Sequence, residues 1–209
     1  MTMKLKYTEW SQISIKKYYE LEELNNLEDS QEKEIAIVAC LCECSTEEIS
    51  KLPYSEFLNL KNQLDFLGKF EFDTNKDLKK IEISGRKYKV CRDFSKFTTA
   101  QYIDFQNLYA KHDLKSYYGL ILSTFVIPED AKIYNEGYDV LEEAKFIYDN
   151  LDICRANQLM FFFRKRWHNL MIVTVNYLRY LALKRKDTGE VWKRILEETQ
   201  NIPGFSALI

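Results

Sequence analysis

The chain has 209 residues, 46% of them hydrophobic and 30% charged, with 30 basic and 32 acidic side chains and a formal net charge of −2. That balance excludes a disordered polyampholyte, and it lacks the overall basic excess of a dedicated nucleic-acid binder. Six Gly and three Pro supply too few turns for a sandwich or barrel, so the composition points to a mainly α fold of helices with short connections.

The first helix is expected over residues 11–24, with Ile13, Tyr18, Tyr19 and Leu21 at helical spacing and Asn25-Asn26 ending it. Asp29 with Glu32 reads as a capping box for a second helix, whose buried face is Ile35, Val38, Leu41 and Cys42. Ser45 with Glu48 repeats the device for a short turn. Pro53 then opens a third helix, with Phe57, Leu60, Leu64 and Leu67 as its stripe and Gly68 as its stop. The period changes at residue 69. Phe70 and Phe72, Ile81 and Ile83, and Tyr88 and Val90 alternate with polar residues around the Ser84-Gly85 turn signal. This predicts a β-hairpin or small meander over 69–92. The polar stretch at 73–80 marks a boundary between two helical subdomains, 1–72 and 73–209.

Helices resume at Thr98, where Thr98 and Gln101 form a capping pair ahead of Tyr102, Phe105, Leu108 and Tyr109. Asp113 starts another, carrying Tyr117, Leu120, Ile121 and Phe125 and ended by Pro128. Asp139 with Glu142 caps a helix bearing Leu141, Phe146 and Ile147. Asp152 begins the longest, to about residue 183, which at ~1.5 Å per residue spans ~45 Å. Its apolar positions spread so widely that it reads as a central helix buried by several neighbours. A short helix with Val191, Trp192, Ile195 and Leu196 and an apolar tail from Phe205 to Leu208 and Ile209 complete the reading.

Chemistry is sparse. The five Cys follow no disulfide framework, and Cys40, Cys42 and Cys44 are spaced C-x-C-x-C rather than as zinc pairs. No secretory leader is read in Met1-Thr2-Met3-Lys4-Leu5-Lys6, so the expectation is reduced thiols in a cytoplasm. No apolar run approaches the ~20 residues of a membrane span. The only histidines are His112 and His168. No phosphate loop, dinucleotide fingerprint or nucleophile elbow is present. The expectation is therefore no enzyme, no cofactor and no metal. Arg164, Lys165 and Arg166 form the densest basic cluster, a possible nucleic-acid patch. Trp10, Tyr134, Tyr138, Trp192, Phe205, Leu208 and Ile209 are candidate partner contacts, the two tyrosines flanking Asn135-Glu136-Gly137 in a loop.

Several segments together carry a resemblance: Gly85-Arg86-Lys87-Tyr88, Thr98-Thr99-Ala100-Gln101-Tyr102-Ile103-Asp104-Phe105-Gln106, Phe125-Val126-Ile127-Pro128, Tyr134-Asn135-Glu136-Gly137-Tyr138-Asp139-Val140 and Phe161-Phe162-Phe163. The series resembles small virion-assembly proteins of tailed bacteriophages, including crAss-like phages, of the tail assembly chaperone kind. The layout of Ile35 to Leu41, Glu47-Glu48-Ile49, Leu52-Pro53 and Phe57-Leu58 is similar to the helical domain of tail or baseplate assembly factors. The resemblance implies a binding role without catalytic residues, with tail or tape-measure proteins as partners, homo-oligomers as an option, and the host cytoplasm or the virion as location. A structural or internal cargo component of the mature particle is the alternative.

Overall fold

A computed structural model describes residues 3–73, 78–109 and 114–184. The chain is mostly helical, with one small antiparallel sheet. The helices are α1 (Ile15–Asn25), α2 (Gln31–Cys42), α3 (Thr46–Ser50), α4 (Tyr54–Lys61), α5 (Thr99–Tyr109), α6 (Leu114–Ser123), α7 (Val140–Asn150) and α8 (Ile153–Lys184). The strands are β1 (Lys80–Ile83), β2 (Arg86–Val90) and β3 (Val126–Pro128), in the order β1-β2-β3.

Local chemistry explains most boundaries. Ser14 accepts from the Lys17 N–H and starts α1 at Ile15, four residues later than the periodicity suggests, because a 3₁₀ turn over Trp10–Gln12 precedes it. The cap of α2 is Ser30, accepting from the Lys33 N–H. Asp29, the residue expected there, instead pairs with the Lys33 ammonium at 2.8 Å. Ser45 and Glu48 form both halves of a capping box. Thr98 and Gln101 do the same at α5, and the Gln101 side chain also donates to the Thr124 carbonyl. Pro53 caps α4, but the helix ends at Lys61 and continues as a 3₁₀ segment, Asn62–Gly68.

Ser84 and Gly85 take φ of 45° and 81°, as a two-residue hairpin turn requires, and join β1 to β2 with Ile81 opposite Tyr88. Phe70 and Phe72 alternate like a strand but lie outside the sheet, where Phe70 packs against Trp10 at 4.9 Å. Pro128 does not end a helix. α6 stops at Ser123, the Ser123 and Thr124 hydroxyls donate to the Leu120 and Ile121 carbonyls, and Val126–Pro128 pairs with β2 instead. The outer edge of β1 is partly closed by Arg155, whose Nη1 donates to the Glu82 carbonyl at 2.9 Å.

Most buried apolar side chains from Leu5 to Trp167 form one cluster with members on both sides of residue 73, and Ile127, Ala131 and Tyr134 form a second, small one. Its aromatic centre gathers Phe94, Phe105, Phe125, Phe163 and Trp167. The segments preceding α1 and α8 run side by side: Ile15 N–H donates to the Leu151 carbonyl at 3.0 Å, and Ile153 N–H to the Ile13 carbonyl at 2.8 Å. Two expectations about burial change. Leu141 is 68% exposed, because α7 turns Ala144 and Ile147 inward. α8 is buried through Leu159, Met160, Phe163 and Trp167, whereas Val173 and Tyr177 farther along stand exposed. Among the described residues no helix is long and apolar enough to cross a membrane. The helix expected near Trp192 and the tail lie outside the described residues.

The C-terminus of α2 shows how the first residues are held. Glu43 sits in the left-handed region, φ 53°, closing the helix. Lys6 and the Tyr7 hydroxyl both donate to its carboxylate, and the Lys6 N–H donates to the Leu41 carbonyl at 2.9 Å. The hydrogen bonds from Lys6 and Tyr7 hold the Glu43 carboxyl below the usual carboxylate range, while burial and then Glu43 push the Tyr7 phenol up to about 12. For a lowered acid, the stabilisation is full above the unfolded-state value, about 4.3. It fades as pH falls through the folded-state value. Protection of the Lys6 amide from hydrogen exchange is therefore expected to drop below about pH 4 in the parent and to be pH-independent in Glu43→Gln. Equal protection factors for the parent at pH 3 and pH 6 would refute this.

Candidate functional site

A cleft opens where the β1–β2 turn, the end of β3, the loop before α7 and α7 itself meet. It encloses about 930 Å³. It is lined by Gly85 to Tyr88, Pro128 to Lys132, Glu136 to Tyr138, and Glu143 of α7. Strand alternation turns Tyr88 inward, and Asp139 fixes the start of α7 by accepting from the Leu141 and Glu142 N–H groups. Asn135 and Gly137, with φ of 61° and 80°, fold the intervening loop.

Electrostatically the site is built around Glu143, which is only 8% exposed. The Tyr88 hydroxyl donates to its Oε1, and Arg86 Nη1 lies 3.5 Å from the same oxygen. The Arg86 guanidinium also covers the Phe146 ring at 4.1 Å. Burial, then the hydrogen bond to Glu143, raises the Tyr88 phenol well above its ordinary value. Lys89 donates to the Ala131 carbonyl and Lys80 pairs with Glu129, tying the strand face to the loop after β3. The Tyr138 hydroxyl is buried and comes near the Asn135 backbone without forming a well-aligned hydrogen bond among the described residues. An unmet buried hydroxyl costs about 1–3 kcal/mol, so Tyr138→Phe is expected to raise stability by about 1 kcal/mol in a chemical-denaturation titration. A loss of that size would show that the hydroxyl is satisfied.

The structure places the other expected contacts as follows. Trp10 is half-buried; its indole N–H donates to the Phe66 carbonyl at 2.9 Å and its ring meets Tyr18, Phe66 and Phe70. Tyr134 is buried and its hydroxyl donates to Asp104 at 3.1 Å. Burial, then the Asp104 charge, raises its phenol. Tyr138 is half-buried. In that loop region Ile133 and Leu141 are the side chains that stand out, at 52% and 68% exposure. Trp192, Phe205, Leu208 and Ile209 lie outside the described residues.

The clustered cations Arg164, Lys165 and Arg166 of α8 are exposed but diverge, because neighbouring helical positions fan around the axis. Lys165 and Arg166 line a groove of about 660 Å³ with Arg92, Asp93, Phe161 and Phe162, whereas Arg164 lies on the side of Tyr118. Arg166 covers the Phe162 ring at 4.6 Å and donates to the Arg92 carbonyl. Among the described residues no group of three His, Cys, Asp or Glu could hold a metal ion. Burial is the leading cause that raises the thiols of Cys40, Cys42, Cys44, Cys91 and Cys154 above the ordinary range, the reverse of nucleophile activation. His168 is exposed, and His112 lies outside the described residues.

Sequence reasoning named Arg86 and Tyr88 only in the hairpin and in the series that carries the resemblance, and did not single out Arg86, Tyr88 or Glu143 as site residues. A signal exists: Glu143 lies beside Ala144 and four residues before Ile147, so it shares the inward stripe of α7. Comparisons with protein-family models, with curated proteins and with solved structures gave no match for this chain.

Proposed function

We propose that the chain is a non-enzymatic assembly protein of the tailed-phage kind, which holds another virion protein of tail or tape-measure type through exposed apolar side chains. The observation that carries this is the far half of α8, where Val173 and Tyr177 are 64% and 59% exposed. Being four residues apart, they share one helix face. Side chains of this kind supply non-directional affinity. Ile133 and Leu141 add exposed apolar surface beside the cleft. We place the partner-facing surface in the second of two subdomains, residues 73–209. The raised thiols and the exposed His168 fit binding better than nucleophilic catalysis.

The test is affinity purification from phage-infected cells with the parent chain and with a Val173→Asp, Tyr177→Asp double variant. The reading requires a virion protein to come down with the parent and to be lost from the variant. If no virion protein is recovered with the parent, the reading fails. Mass spectrometry of purified particles then separates a departing chaperone, absent from them, from a component retained in many copies.

A further inference from the structure

The groove of about 660 Å³ between α8 and the segment from Arg92 to Ser95 combines rings with positive charge. Two stripes of α8 side chains line it at four-residue spacing: Phe161, Lys165 and Asn169 in one, Phe162, Arg166 and Leu170 in the other. Each stripe therefore sets a ring before a cation, about 6 Å apart along the axis. Phe161 meets Phe72 in a T-shaped contact at 6.4 Å and is still 43% exposed. Arg166 is held in place, because its guanidinium covers the Phe162 ring at 4.6 Å and its Nη1 donates to the Arg92 carbonyl at 3.1 Å. A guanidinium has five N–H donors, so this anchoring leaves others for a ligand. Arg92 and Lys165 add positive charge, and the one carboxylate in the lining is Asp93. That carboxylate accepts from the Ser95 N–H at 3.0 Å and from the Ser95 hydroxyl at 2.7 Å, which holds it within its own turn.

The lining selects the ligand. Three cations against one engaged carboxylate favour an anion. An acidic peptide would meet the cations but has no use for the Phe161 ring. A ring paired with a cation, repeated in neighbouring stripes, suits a polymer that presents a flat base and a phosphate in every unit. In a duplex the bases are stacked inside and cannot reach Phe161, so the strand must be single. Asn169 offers both a donor and an acceptor to a base edge. We propose that this groove binds a short stretch of single-stranded nucleic acid, with a base on Phe161 and phosphates on Lys165 and Arg166. The net charge of −2 supplies no long-range attraction, so the affinity is set within the groove. Arg164 lies on the side of Tyr118 and takes no part. The inference concerns a different stretch of α8 from Val173 and Tyr177, goes beyond the assembly reading and survives its failure.

The experiment is fluorescence anisotropy, with the full chain titrated into labelled oligothymidylate and oligouridylate of about a dozen nucleotides, a duplex of that length and a poly-glutamate peptide. Saturable binding of single strands is expected at low salt, with a Kd of roughly 10⁻⁶–10⁻⁴ M, and weaker binding of the duplex and the peptide. Three phosphate contacts give a slope of log affinity on log salt of about −2. Arg166→Glu should lower the affinity by about tenfold or more. Arg164→Glu makes the same change in net charge and should leave the affinity within about twofold. Phe161→Ala should lower it by about tenfold at an unchanged salt slope, and Phe161→Trp should keep or tighten it. Thermal melts of each variant check the fold. The tighter of the two oligonucleotides identifies DNA or RNA as the source. No saturation by either strand, equal losses in Arg164→Glu and Arg166→Glu, undiminished affinity in Phe161→Ala, or a duplex bound as tightly as the strand overturns the proposal. Tighter binding of poly-glutamate overturns it in favour of an acidic protein segment.

Discussion

Phe163→Ala is expected to cost about 3–5 kcal/mol of unfolding free energy, read as a fall in the urea midpoint at unchanged slope. The ring is 2% exposed and lies parallel to Phe125 at a centroid distance of 3.8 Å, with an interplanar angle of 10°. The edges of Phe94 and Phe105 close around it at 4.7 and 5.0 Å. Alanine removes the transfer free energy of a full ring and leaves a cavity walled by Phe94, Phe105 and Phe125, which come from three separate segments and cannot collapse together. Total stabilities of about 5–15 kcal/mol are usual, so the substitution takes a large share of what a domain has. Phe163→Leu, which keeps most of the volume, should lose far less. A measured cost for alanine below about 1 kcal/mol would mean that the aromatic centre is not packed as described.

Gly119→Ala is expected to be the second largest, and here two effects oppose. Alanine in place of glycine inside a helix is worth about 1 kcal/mol in propensity. The added Cβ, however, would lie 2.4 Å from the Ala144 carbonyl oxygen and 3.0 Å from the Tyr148 Cβ. The first of these is backbone, so α6 and α7 must separate. Overpacking of this kind costs about 1–3 kcal/mol or more, and contact at 2.4 Å belongs to the upper end. The net expectation is a loss of about 2 kcal/mol, a fall in Tm of about 4–8 °C for a chain of this length. Gly68→Ala is the control: an added Cβ there meets nothing within 4 Å, and its melt should be unchanged or slightly higher. A stabilised Gly119→Ala would show that the two helices are not in contact at this crossing.

Much of the fold is legible where a side chain acts on its own neighbourhood. The reciprocal Ser45 and Glu48 bonds, the Thr98 and Gln101 pair, the Asp139 cap and the Ser84-Gly85 turn all operate within three residues, so spacing alone exposes them. What spacing misses is decided at long range. Ser30 and Asp29 are adjacent and equally able to cap α2, and the choice falls to the Lys33 ammonium, which engages Asp29. Val126–Pro128 sits in an apolar run that continues a helical pattern, and only its pairing with β2 makes it a strand. Phe70 and Phe72 carry the alternation of a strand without a neighbouring strand to accept it. The candidate site was the least legible part. A glutamate after a cap reads as a solvated first-turn charge. Only the arrival of Tyr88 from the hairpin, 55 positions away in sequence, draws Glu143 into the lining of a cleft.

The side-by-side pairing of the segments leading into α1 and α8 has a consequence for synthesis. Ile13 and Ile15 are wholly covered in the finished molecule, yet their backbone partners are Leu151 and Ile153. At roughly 5–20 residues per second, a ribosome needs on the order of ten seconds to travel from one pair to the other. Throughout that interval the Ile13 carbonyl and the Ile15 N–H of the nascent chain lack these partners. The late arrival of the segment leading into α8 thus acts as a latch on the early one, and a transcript truncated before codon 151 yields a product without that pairing.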